Sequence, residues 1–435
     1  MYKVGLYTLG CKVSLYETEA IGEAFEAAGF TVCPFDEVCD VYVINTCTVT
    51  AESDAKSRKY IRRAIRRNPD AVVIVVGCYS QRSPDEVAKI DGVSAVIGTA
   101  DKMKAVEVAK RLLIPNSEFQ IPNLVGSLEQ TPFEPMCVKS APRTRAYVKI
   151  EDGCECRCTY CAISAARGPV RSKKPDEVIS EVEGLYKNGT LEIVLTGIET
   201  GSYGADFDEK YDLADLICQL DSRHSCERIR LGSMAPELLT EKFFDRIADT
   251  KIMVPHFHIS MQSGSDNVLR GMKRRYNRAM ALKNIAHIRE KMPGVMLTAD
   301  LMVGFPGESE EDFLDTLRFV SEAGLLDAHV FAYSKREGTP AATYENQISE
   351  QVKKERSARL IAECARVRDE ILGAVVDSGE PLSVIMETRK GSSIHGHSDS
   401  YIEVSAESKK DLSGELVSVK PLYHKNGVIY GEIIT

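Results

Sequence analysis

Short apolar runs alternate with helical patterns along the first part of the chain. The runs at residues 4–7, 41–44, 71–76 and 94–97 predict strands, and the stretches at 15–28 and 51–67 predict helices between them. Because these runs are continuously apolar, they are typical of a parallel sheet that is buried on both faces. Residues 1–113 are therefore predicted to form an α/β domain with a doubly wound parallel sheet.

A second series of strands and helices follows a connector at residues 114–144 that is rich in proline. Six strands are predicted in this series, at 146–150, 192–196, 228–231, 256–260, 296–301 and 328–331. Six strands with helices between them predict an open (βα)6 partial TIM barrel over residues 145–372. In such a barrel the functional residues belong at the carboxyl ends of the strands.

The last part of the chain changes to short strands that are separated by polar turns, at 382–387, 401–404, 415–419 and 428–433. This pattern predicts a small β-barrel of the oligonucleotide-binding type over residues 373–435. Acidic residues slightly outnumber basic ones in this stretch, so its charge does not by itself predict RNA binding.

Composition narrows the class of protein. The 435 residues carry a formal net charge of −9, which argues against a globally basic nucleic-acid coat but leaves room for local basic patches. The chain shows neither a signal peptide nor a long apolar run. Its thirteen cysteines show no disulfide-module pattern. We therefore expect a cytoplasmic protein without a membrane partner, whose thiols serve metal or redox chemistry.

One short loop carries the clearest chemical pattern. Cys154, Cys158 and Cys161 follow the first barrel strand with the spacing C-x3-C-x2-C. Three thiolates on a 4Fe–4S cluster leave one iron open for a small molecule. Zinc sites instead combine two separated pairs, and no Cys or His follows Cys161 at a matching distance. The loop therefore predicts a three-ligand cluster, and Cys156 is interpreted as a bystander.

A second trio of cysteines follows the first domain's predicted strands. Cys11, Cys47 and Cys78 each come directly after one of the first three strands. Because ligands of open α/β sheets bind outside the carboxyl ends of the strands, the three thiols should converge on one edge. The alternative is that they are structural cysteines in the core, as we expect of Cys33 and Cys39. We favour a second three-thiolate cluster.

The Cys154–Cys161 loop resembles that of the radical S-adenosylmethionine (SAM) enzymes, and further motifs extend a resemblance to the whole chain. They are TLGCKV at 8–13, INTCTVT at 44–50, GCYSQ at 77–81, SMQSGS at 260–265, VGFPGE at 303–308 and YSKREGTPA at 333–341. On these motifs the chain resembles the radical SAM methylthiotransferases. The first two are similar to those of the branch that modifies threonylcarbamoyladenosine beside the tRNA anticodon.

The resemblance implies an N-terminal cluster domain, a radical SAM barrel and a C-terminal TRAM barrel. It implies two 4Fe–4S clusters, one that cleaves SAM and an auxiliary one that carries sulfur, held by the two cysteine trios respectively. It also implies two SAM molecules per turnover, one to methylate the sulfur and one to generate the radical that attacks carbon 2 of adenine. The expected partners are tRNA, an electron donor such as flavodoxin or ferredoxin, and a sulfur source.

The resemblance also suggests where SAM would be held. Tyr160, just before the third loop cysteine, would contact the adenine, and Gly304 and Gly307 would let the backbone approach the same ring. At the end of the second barrel strand, the amino group would be held by Thr196, Gly197 and Glu199. Ser260 and Gln262, at the end of the fourth strand, would contact the ribose. The alternative for each is ordinary turn chemistry at a barrel rim.

Two basic stretches are candidates for contact with tRNA. The predicted helix at 51–67 contributes Lys56, Lys59, Arg62, Arg63, Arg66 and Arg67, and a stretch after the fourth barrel strand contributes Arg274 and Arg275. A helix face that carries only positive charge suits phosphate neutralisation, which supplies much of nucleic-acid affinity. The alternative is an ordinary solvated face.

Three rival functions stay open. Methylthiotransferases that act on isopentenyladenosine in tRNA, or on a ribosomal protein side chain, would share both clusters. A non-catalytic iron–sulfur carrier would need fully ligated clusters, and neither trio has a fourth cysteine.

Overall fold

The N-terminal domain is a parallel α/β sheet. The computed structural model describes residues 1–114, 123–141 and 144–434. The strands of this domain are β1 (Lys3–Thr8), β2 (Thr31–Cys33), β3 (Val41–Thr46), β4 (Val72–Gly77), β5 (Ala95–Ile97) and β6 (Asn123–Leu124), in the order β2-β1-β3-β4-β5-β6. The helices are α1 (Lys12–Ala27), α2 (Ala51–Arg67), α3 (Cys78–Arg82), α4 (Pro84–Ala88) and α5 (Lys104–Leu112).

Alternate residues of the central strands point into two separate cores, which makes the sheet doubly wound. Val41 and Val43 of β3 pack with residues of α1 and α5, whereas Tyr42 and Ile44 pack with residues of α2 and α4. All of β3 is buried, as the continuous apolar run predicts. The predicted doubly wound domain is confirmed.

Sequence and structure differ at several places in this domain, including the short strand β2, which was not predicted. Helix α1 begins at Lys12 rather than at residue 15, because the chain turns helical directly after Cys11, its N-cap. Strand β6 lies inside the proline-rich connector and pairs in parallel with β5, so part of this stretch extends the sheet. A two-residue strand leaves no periodic pattern in a sequence.

The central domain is an open partial barrel. Its strands are β7 (Arg145–Lys149), β8 (Glu151–Asp152), β9 (Arg171–Ser172), β10 (Glu192–Thr196), β11 (Arg228–Leu231), β12 (His256–Gln262), β13 (Met296–Val303) and β14 (Asp327–Ala332). Its helices are α6 (Ile163–Arg167), α7 (Pro175–Lys187), α8 (Leu213–Ser222), α9 (Glu241–Ile247), α10 (Asp266–Gly271), α11 (Arg278–Lys291), α12 (Glu310–Ala323) and α13 (Glu350–Ser378).

The six predicted barrel strands are all present, in two parallel sheets. One sheet has the order β11-β10-β7 and the other β12-β13-β14. A bridge between Met234 and Ile259 joins the two sheets. No hydrogen-bonded ladder joins β7 to β14 among the residues described, so the barrel stays open on that side. The short antiparallel pair β8–β9 carries the start of the cysteine loop.

The C-terminal strands close into a five-stranded barrel with the order β15-β16-β17-β19-β18. They are β15 (Leu382–Lys390), β16 (Ser393–Ser398), β17 (Glu403–Glu407), β18 (Leu416–Lys425) and β19 (Val428–Ile434). Sequence analysis missed β16, whose SIHGHS sequence has only one apolar residue. Within the described part of the chain, no helix is both long and apolar enough to cross a membrane.

Candidate active site

Three thiols lie at the carboxyl edge of the N-terminal sheet. Cys11 follows β1, Cys47 follows β3 and Cys78 follows β4. Strands β1 and β3 are neighbours at the point where the strand order reverses, which is where open α/β sheets bind ligands. A Cβ on Gly10 would lie 3.5 Å from the Sγ of Cys47, so the turn that carries Cys11 runs directly beside Cys47.

The three thiols also influence one another electrostatically. Burial raises the pKa of Cys47, and it raises the pKa of Cys78 to about 11. Cys11 adds to the shift of Cys47, and both Cys11 and Cys47 add to that of Cys78, because two thiolates repel each other. Cys11 is exposed, and its Sγ makes only a long contact of 3.8 Å with the Oγ of Ser14, so its thiol is available as a ligand.

Arg167 supplies a positive partner to this trio from the central domain. Its Nε donates a hydrogen bond to the Sγ of Cys78 over 3.2 Å. The side chain is fully buried, and its charge lowers the pKa of Cys78 against the effect of burial. A buried guanidinium beside a thiol favours the thiolate, which is the form that binds metal. Sequence analysis missed Arg167 because nothing in its local sequence marks it.

The same guanidinium belongs to a buried ion network between the first two domains. Its Nη1 lies 2.6 Å from the Oε1 of Glu17 and 3.2 Å from the Oδ2 of Asp152. Lys102 lies 3.0 Å from Glu17, and Lys149 lies 2.9 Å from Glu17 and 2.7 Å from Asp152. Although burial opposes it, Arg167 and the two lysines hold the pKa of Glu17 well below its usual range.

The second trio lies on the loop between β8 and α6. The amide of Cys154 donates to the carbonyl of Gly168 and the amide of Thr159 to that of Met272, which fixes both ends of the loop. A Cβ on Gly153 would lie 1.9 Å from a backbone oxygen, and its φ is +99°, so only glycine fits before Cys154. The loop enters the site through this tight turn.

Arg274 donates a hydrogen bond to one sulfur of the second trio, as Arg167 does to one sulfur of the first. Its Nη1 donates to the Sγ of Cys158 over 3.1 Å, and its charge lowers the pKa of Cys158 against the effect of burial. The Sγ of Cys161 accepts a hydrogen bond from the amide of Ile163 over 3.3 Å. Burial raises the pKa of Cys161 to about 11. Cys156 receives a hydrogen bond from Cys154, which lowers its pKa to about 6.

The donor sets fit iron–sulfur clusters. Each trio offers thiols from three positions, and each has one sulfur that accepts a hydrogen bond from a guanidinium. Among the residues described, no three His, Cys, Asp or Glu side chains gather closely enough to share a single metal ion. A cubane needs no such convergence, because each thiolate binds a different iron.

The predicted SAM residues at the end of β10 lie in a turn that hydrogen bonds hold in place. The buried carboxyl of Glu151 accepts a hydrogen bond from the amide of Glu199 over 2.9 Å. A Cβ on Gly197 would lie 2.4 Å from that carboxyl, so glycine is required there. The Oε1 of Glu199 accepts from the amide of Ala235, and burial raises the pKa of Glu199 to about 8. Thr196 is buried beside them.

The other predicted SAM residues lie on the rims of β12, β13 and the cysteine loop. The hydroxyl of Ser260 is 2.7 Å from that of Ser233, and Gln262 ends β12 with a φ of +64°. Tyr160 packs against the apolar cluster that contains Phe305. That cluster places Tyr160 near the VGFPGE turn.

The two glycines of the VGFPGE turn have different surroundings. A Cβ on Gly304 would lie 2.4 Å from the Cγ of Lys353, whereas a Cβ on Gly307 would meet nothing within 4 Å among the residues described. Both have a positive φ. Gly304 is therefore required by the packing of Lys353, and the Gly307 side of the turn is open to a ligand.

A cavity of about 670 Å³ lies between the three domains. Its lining includes the predicted SAM residues Thr196 and Gly197, Cys11 and Lys12 of the N-terminal domain, and Tyr401 of the C-terminal barrel. The remaining polar lining comes from Arg230, Ser233, His256, His258, Thr298, Asp300, Asp327, His329, Arg368, His397 and Glu403. The cavity thus combines many polar and charged side chains with apolar surface, and it adjoins both Cys11 and the barrel rim.

The C-terminal barrel closes one end of this cavity with a single aromatic ring. Tyr401 stacks on His256 with 4.8 Å between ring centroids and on His397 with 5.0 Å, and the guanidinium of Arg230 lies 4.8 Å from its ring. Burial keeps His256 neutral by lowering its pKa well below the usual range. Sequence analysis assigned no role to this tyrosine, because its position against the barrel depends on how the domains pack.

Helix α2 presents fewer free cations than its sequence suggests. Arg63 and Arg67 pair with Asp36, and Lys56 pairs with Glu52. The remaining predicted residues Lys59, Arg62 and Arg66 are exposed, and no ion pair joins them to the part of the chain that the structure describes. They are spaced i, i+3 and i+7 and so share one helical face. The all-positive face is therefore limited to these three residues.

The second basic stretch points partly inward. Arg274 is occupied by Cys158 and by the carbonyl of Ser260. Arg275 is exposed and donates to the carbonyl of Glu155 in the cysteine loop. Both arginines thus contact the loop of the second trio or its surroundings.

The chain is similar to two protein families and to several named proteins. It matches the Radical SAM superfamily over residues 148–320 and the uncharacterized protein family UPF0004 over residues 3–98. It is 41% identical to the threonylcarbamoyladenosine tRNA methylthiotransferase MtaB of Bacillus subtilis, over 99% of this chain and 96% of the relative. It is 33% identical to the protein of the same name from Aquifex aeolicus, over 96% and 99%.

The chain is also similar to a tRNA-modifying enzyme of a second name and to a solved structure. The chain is 32% identical to the tRNA-2-methylthio-N(6)-dimethylallyladenosine synthase of Alkaliphilus oremlandii, over 99% of this chain and 93% of the relative. Its fold is similar to that of TsrM, a radical SAM methyltransferase from Kitasatospora setae, with a TM-score of 0.59. That likeness covers 84% of this chain and 89% of TsrM at 15% identity, so it supports the fold alone.

Proposed function

The chain belongs to the radical SAM methylthiotransferase family, and on this premise we propose that it converts threonylcarbamoyladenosine beside the tRNA anticodon into the 2-methylthio derivative. Radical SAM enzymes use a 4Fe–4S cluster and SAM. The full-length similarity to threonylcarbamoyladenosine tRNA methylthiotransferases from two organisms carries the proposal. The polar cavity beside Cys11 supports it independently.

We propose that each cysteine trio holds one 4Fe–4S cluster. Cys154, Cys158 and Cys161 would hold the SAM-cleaving cluster, and the Cys11 trio would hold an auxiliary one. When bound, these groups would supply the one-electron cleavage of SAM and the sulfur that becomes the methylthio group. Arg167 and Arg274 would each hydrogen-bond one ligand sulfur, which favours the thiolate and fixes its orientation.

We propose that the target adenine lies in the cavity that Cys11 and the end of β10 line. To reach it, the nucleotide must leave the stack of the anticodon loop, as bases do in other enzymes that modify them. The threonylcarbamoyl group carries a carboxylate, a hydroxyl and a urea, all of which need hydrogen-bonding partners when buried. An isopentenyl group would need an apolar wall instead. The histidines, Asp300 and Lys12 along the cavity favour the threonylcarbamoyl group.

We propose that tRNA phosphates contact the exposed face of α2 formed by Lys59, Arg62 and Arg66. These cations have no acidic partner among the described residues, so a phosphate can neutralise them without breaking an ion pair. Arg275 beside the cysteine loop is a second candidate because it is exposed near the proposed SAM site.

The proposal includes an electron donor of the flavodoxin or ferredoxin class and a sulfur source. Reductive cleavage of SAM consumes one electron. The product gains a sulfur atom that must come from another source, because the tRNA substrate does not supply it and the sulfur of SAM leaves in methionine or S-adenosylhomocysteine. We also propose a reducing compartment, since the ligand thiols must stay reduced and the cysteines are free.

The decisive assay uses reconstituted protein with SAM, sulfide and a reductant. Anticodon stem-loops would carry threonylcarbamoyladenosine or isopentenyladenosine, and nucleoside mass spectrometry would detect the methylthio product. We expect the product only with threonylcarbamoyladenosine. Methylthiolation of the isopentenyl substrate alone, or of a ribosomal protein, would contradict the proposed substrate and leave the family assignment standing.

A further inference from the structure

Lys12 is placed unusually for a lysine. It follows Cys11 directly, begins α1, and lines the cavity between the three domains while half-buried. Its ammonium makes no hydrogen bond or ion pair with any residue that the structure describes. A lysine held away from bulk water without an acid loses hydration that nothing in the protein replaces.

The other cations along the cavity differ from Lys12 because each has an acidic partner. Arg230 pairs with Glu192, Arg368 with Asp327, and His258 and His329 with Asp300. Among the described residues, Lys12 is therefore the cation of the cavity lining that has no acidic ion-pair partner. Asp300, Asp327 and Glu403 also line the cavity, but none of them forms an ion pair with Lys12, so an anion that enters could bind Lys12 without displacing a carboxylate of the protein.

A second polar group in the same cavity also lacks a partner. Arg230 is 2% exposed, and its Nη1 finds no hydrogen-bond acceptor among the described residues, although its Nε and Nη2 do. This Nη1 is shielded from the cavity, so the guanidinium acts on the cavity through its charge. Lys12 and Arg230 thus give one cavity two positive charges, of which only Lys12 has no acidic partner among the described residues.

We propose that Lys12 binds the carboxylate of the threonylcarbamoyl group. This inference rests on the proposed function, because it assigns one part of that substrate to one part of the cavity. A carboxylate carries the opposite charge and accepts hydrogen bonds, so it can pair with the ammonium, and the buried positive charge of Arg230 in the same lining adds to the attraction. The threonyl carboxylate would then hold the adenine with its modified edge toward Lys12 and carbon 2 free to face the cysteine trios.

The arrangement would also make the enzyme selective. An isopentenyl group brings no acceptor, so it would leave the ammonium of Lys12 desolvated and unpaired. Sites built to hydrogen-bond a charged substrate group strongly reject analogues that lack it. Lys12 would therefore be a specificity-determining residue for the reaction rather than a participant in sulfur transfer.

The experiment compares Lys12→Met and Lys12→Arg with wild type on two anticodon stem-loops. One carries threonylcarbamoyladenosine as the free acid, and the other carries it as the neutral methyl ester. The exposed Lys104→Met is the matched control, because Lys104 lies on the surface of α5. The kcat/KM of methylthiolation is normalised to iron content and to SAM cleavage without tRNA, so that damage to the neighbouring cluster is separated from substrate binding.

We expect Lys12→Met to lower kcat/KM for the free acid by about 10- to 100-fold, as for loss of a hydrogen bond to a charged group. We expect little further loss on the ester, activity near wild type for Lys12→Arg and for Lys104→Met, and weak activity of wild type on the ester. An equal loss on acid and ester, or a loss explained by weaker SAM binding, would overturn the inference.

Failure of the proposed function would look different. In that case wild type would methylthiolate neither stem-loop, whatever residue stands at position 12, while another substrate would be modified. That result would remove the inference together with its premise. A wild type that modifies acid and ester equally well would remove the inference alone.

Discussion

Arg167 of the central domain donates a hydrogen bond to the sulfur of Cys78 in the N-terminal domain, although 89 residues separate them in sequence. The same guanidinium also contacts Glu17 and Asp152. One buried side chain therefore joins a proposed cluster ligand, the ion network and the domain that carries the second trio. The relative position of the two trios depends on this contact.

Replacing Arg167 with Gln should destabilise the protein and weaken the auxiliary cluster. Removing one partner of a buried ion network costs about 3–5 kcal/mol, because the remaining charges stay buried. Anaerobic urea unfolding would measure the loss of stability, and iron analysis the loss of the cluster. Arg223→Gln is the control, since Arg223 pairs with Glu183 at the surface and should behave as wild type. Unchanged stability and iron in Arg167→Gln would refute this role.

The two trios should hold separable clusters. Anaerobic reconstitution should give about eight irons per chain, four for each cubane. The triple Ala variant of Cys154, Cys158 and Cys161 should lose half of the iron and all SAM cleavage. The triple variant of Cys11, Cys47 and Cys78 should also lose half, yet retain reductive SAM cleavage. Full iron content in the second variant would rule out the auxiliary cluster.

The exposed face of α2 should bind tRNA, whereas its paired arginines should not. Changing Lys59, Arg62 and Arg66 to Ala should weaken binding and reduce the salt dependence of the affinity by about one unit per lost phosphate contact. Changing Arg63 and Arg67, which already pair with Asp36, is the matched control and should have a smaller effect. Filter binding over a salt series would compare the variants. Equal effects of both sets would contradict the assignment of the contact to one face.

SAM binding should strengthen with pH through Glu199. Burial raises the pKa of this carboxyl from 4.5 to about 8, so it is mostly protonated at neutral pH in the SAM-free protein. Its contribution to stability therefore falls as pH rises from 4.5 to 8. A SAM ammonium placed beside it would favour the carboxylate, so binding would release a proton and the Kd would fall as pH rises to about 7.7, above which the α-amino group of SAM itself loses its proton.

The measurement is the Kd of SAM between about pH 6 and 9, a range that spans the raised pKa of Glu199. Glu199→Gln should remove the pH dependence, whereas Glu241→Gln, at an exposed position that pairs with Lys283, should retain it. A pH dependence that persists in Glu199→Gln would assign it to another group.

Much of the architecture follows from local pattern. The four principal strands of the first domain appear where continuous apolar runs predict them, because burial on both faces requires such runs. The six predicted strands of the barrel are also present. Helix α2 matches its predicted bounds, 51–67. The cysteine trios were found through spacing and through the rule that ligands gather at the carboxyl ends of parallel strands. These features depend on short-range order along the chain.

Other features needed the packed structure. Asp36 neutralises Arg63 and Arg67 from a loop about 30 residues away, so the charge of α2 cannot be read from the helix alone. Strand β16 has one apolar residue and is held by pairing with β15 and β17. Its Gly396 is required because a Cβ there would lie 2.1 Å from the carbonyl of Ile385.

The sequence alone determined which chemical groups the protein carries: two sets of three thiols, a SAM-type loop, and strands to position them. The tertiary structure decided what surrounds them. Arg167, Lys12 and Tyr401 come from three different domains, and each acts on groups that are far away in sequence. Covalent spacing fixes ligand sets within a loop, whereas the charge and shape of a cavity arise only when distant surfaces pack together.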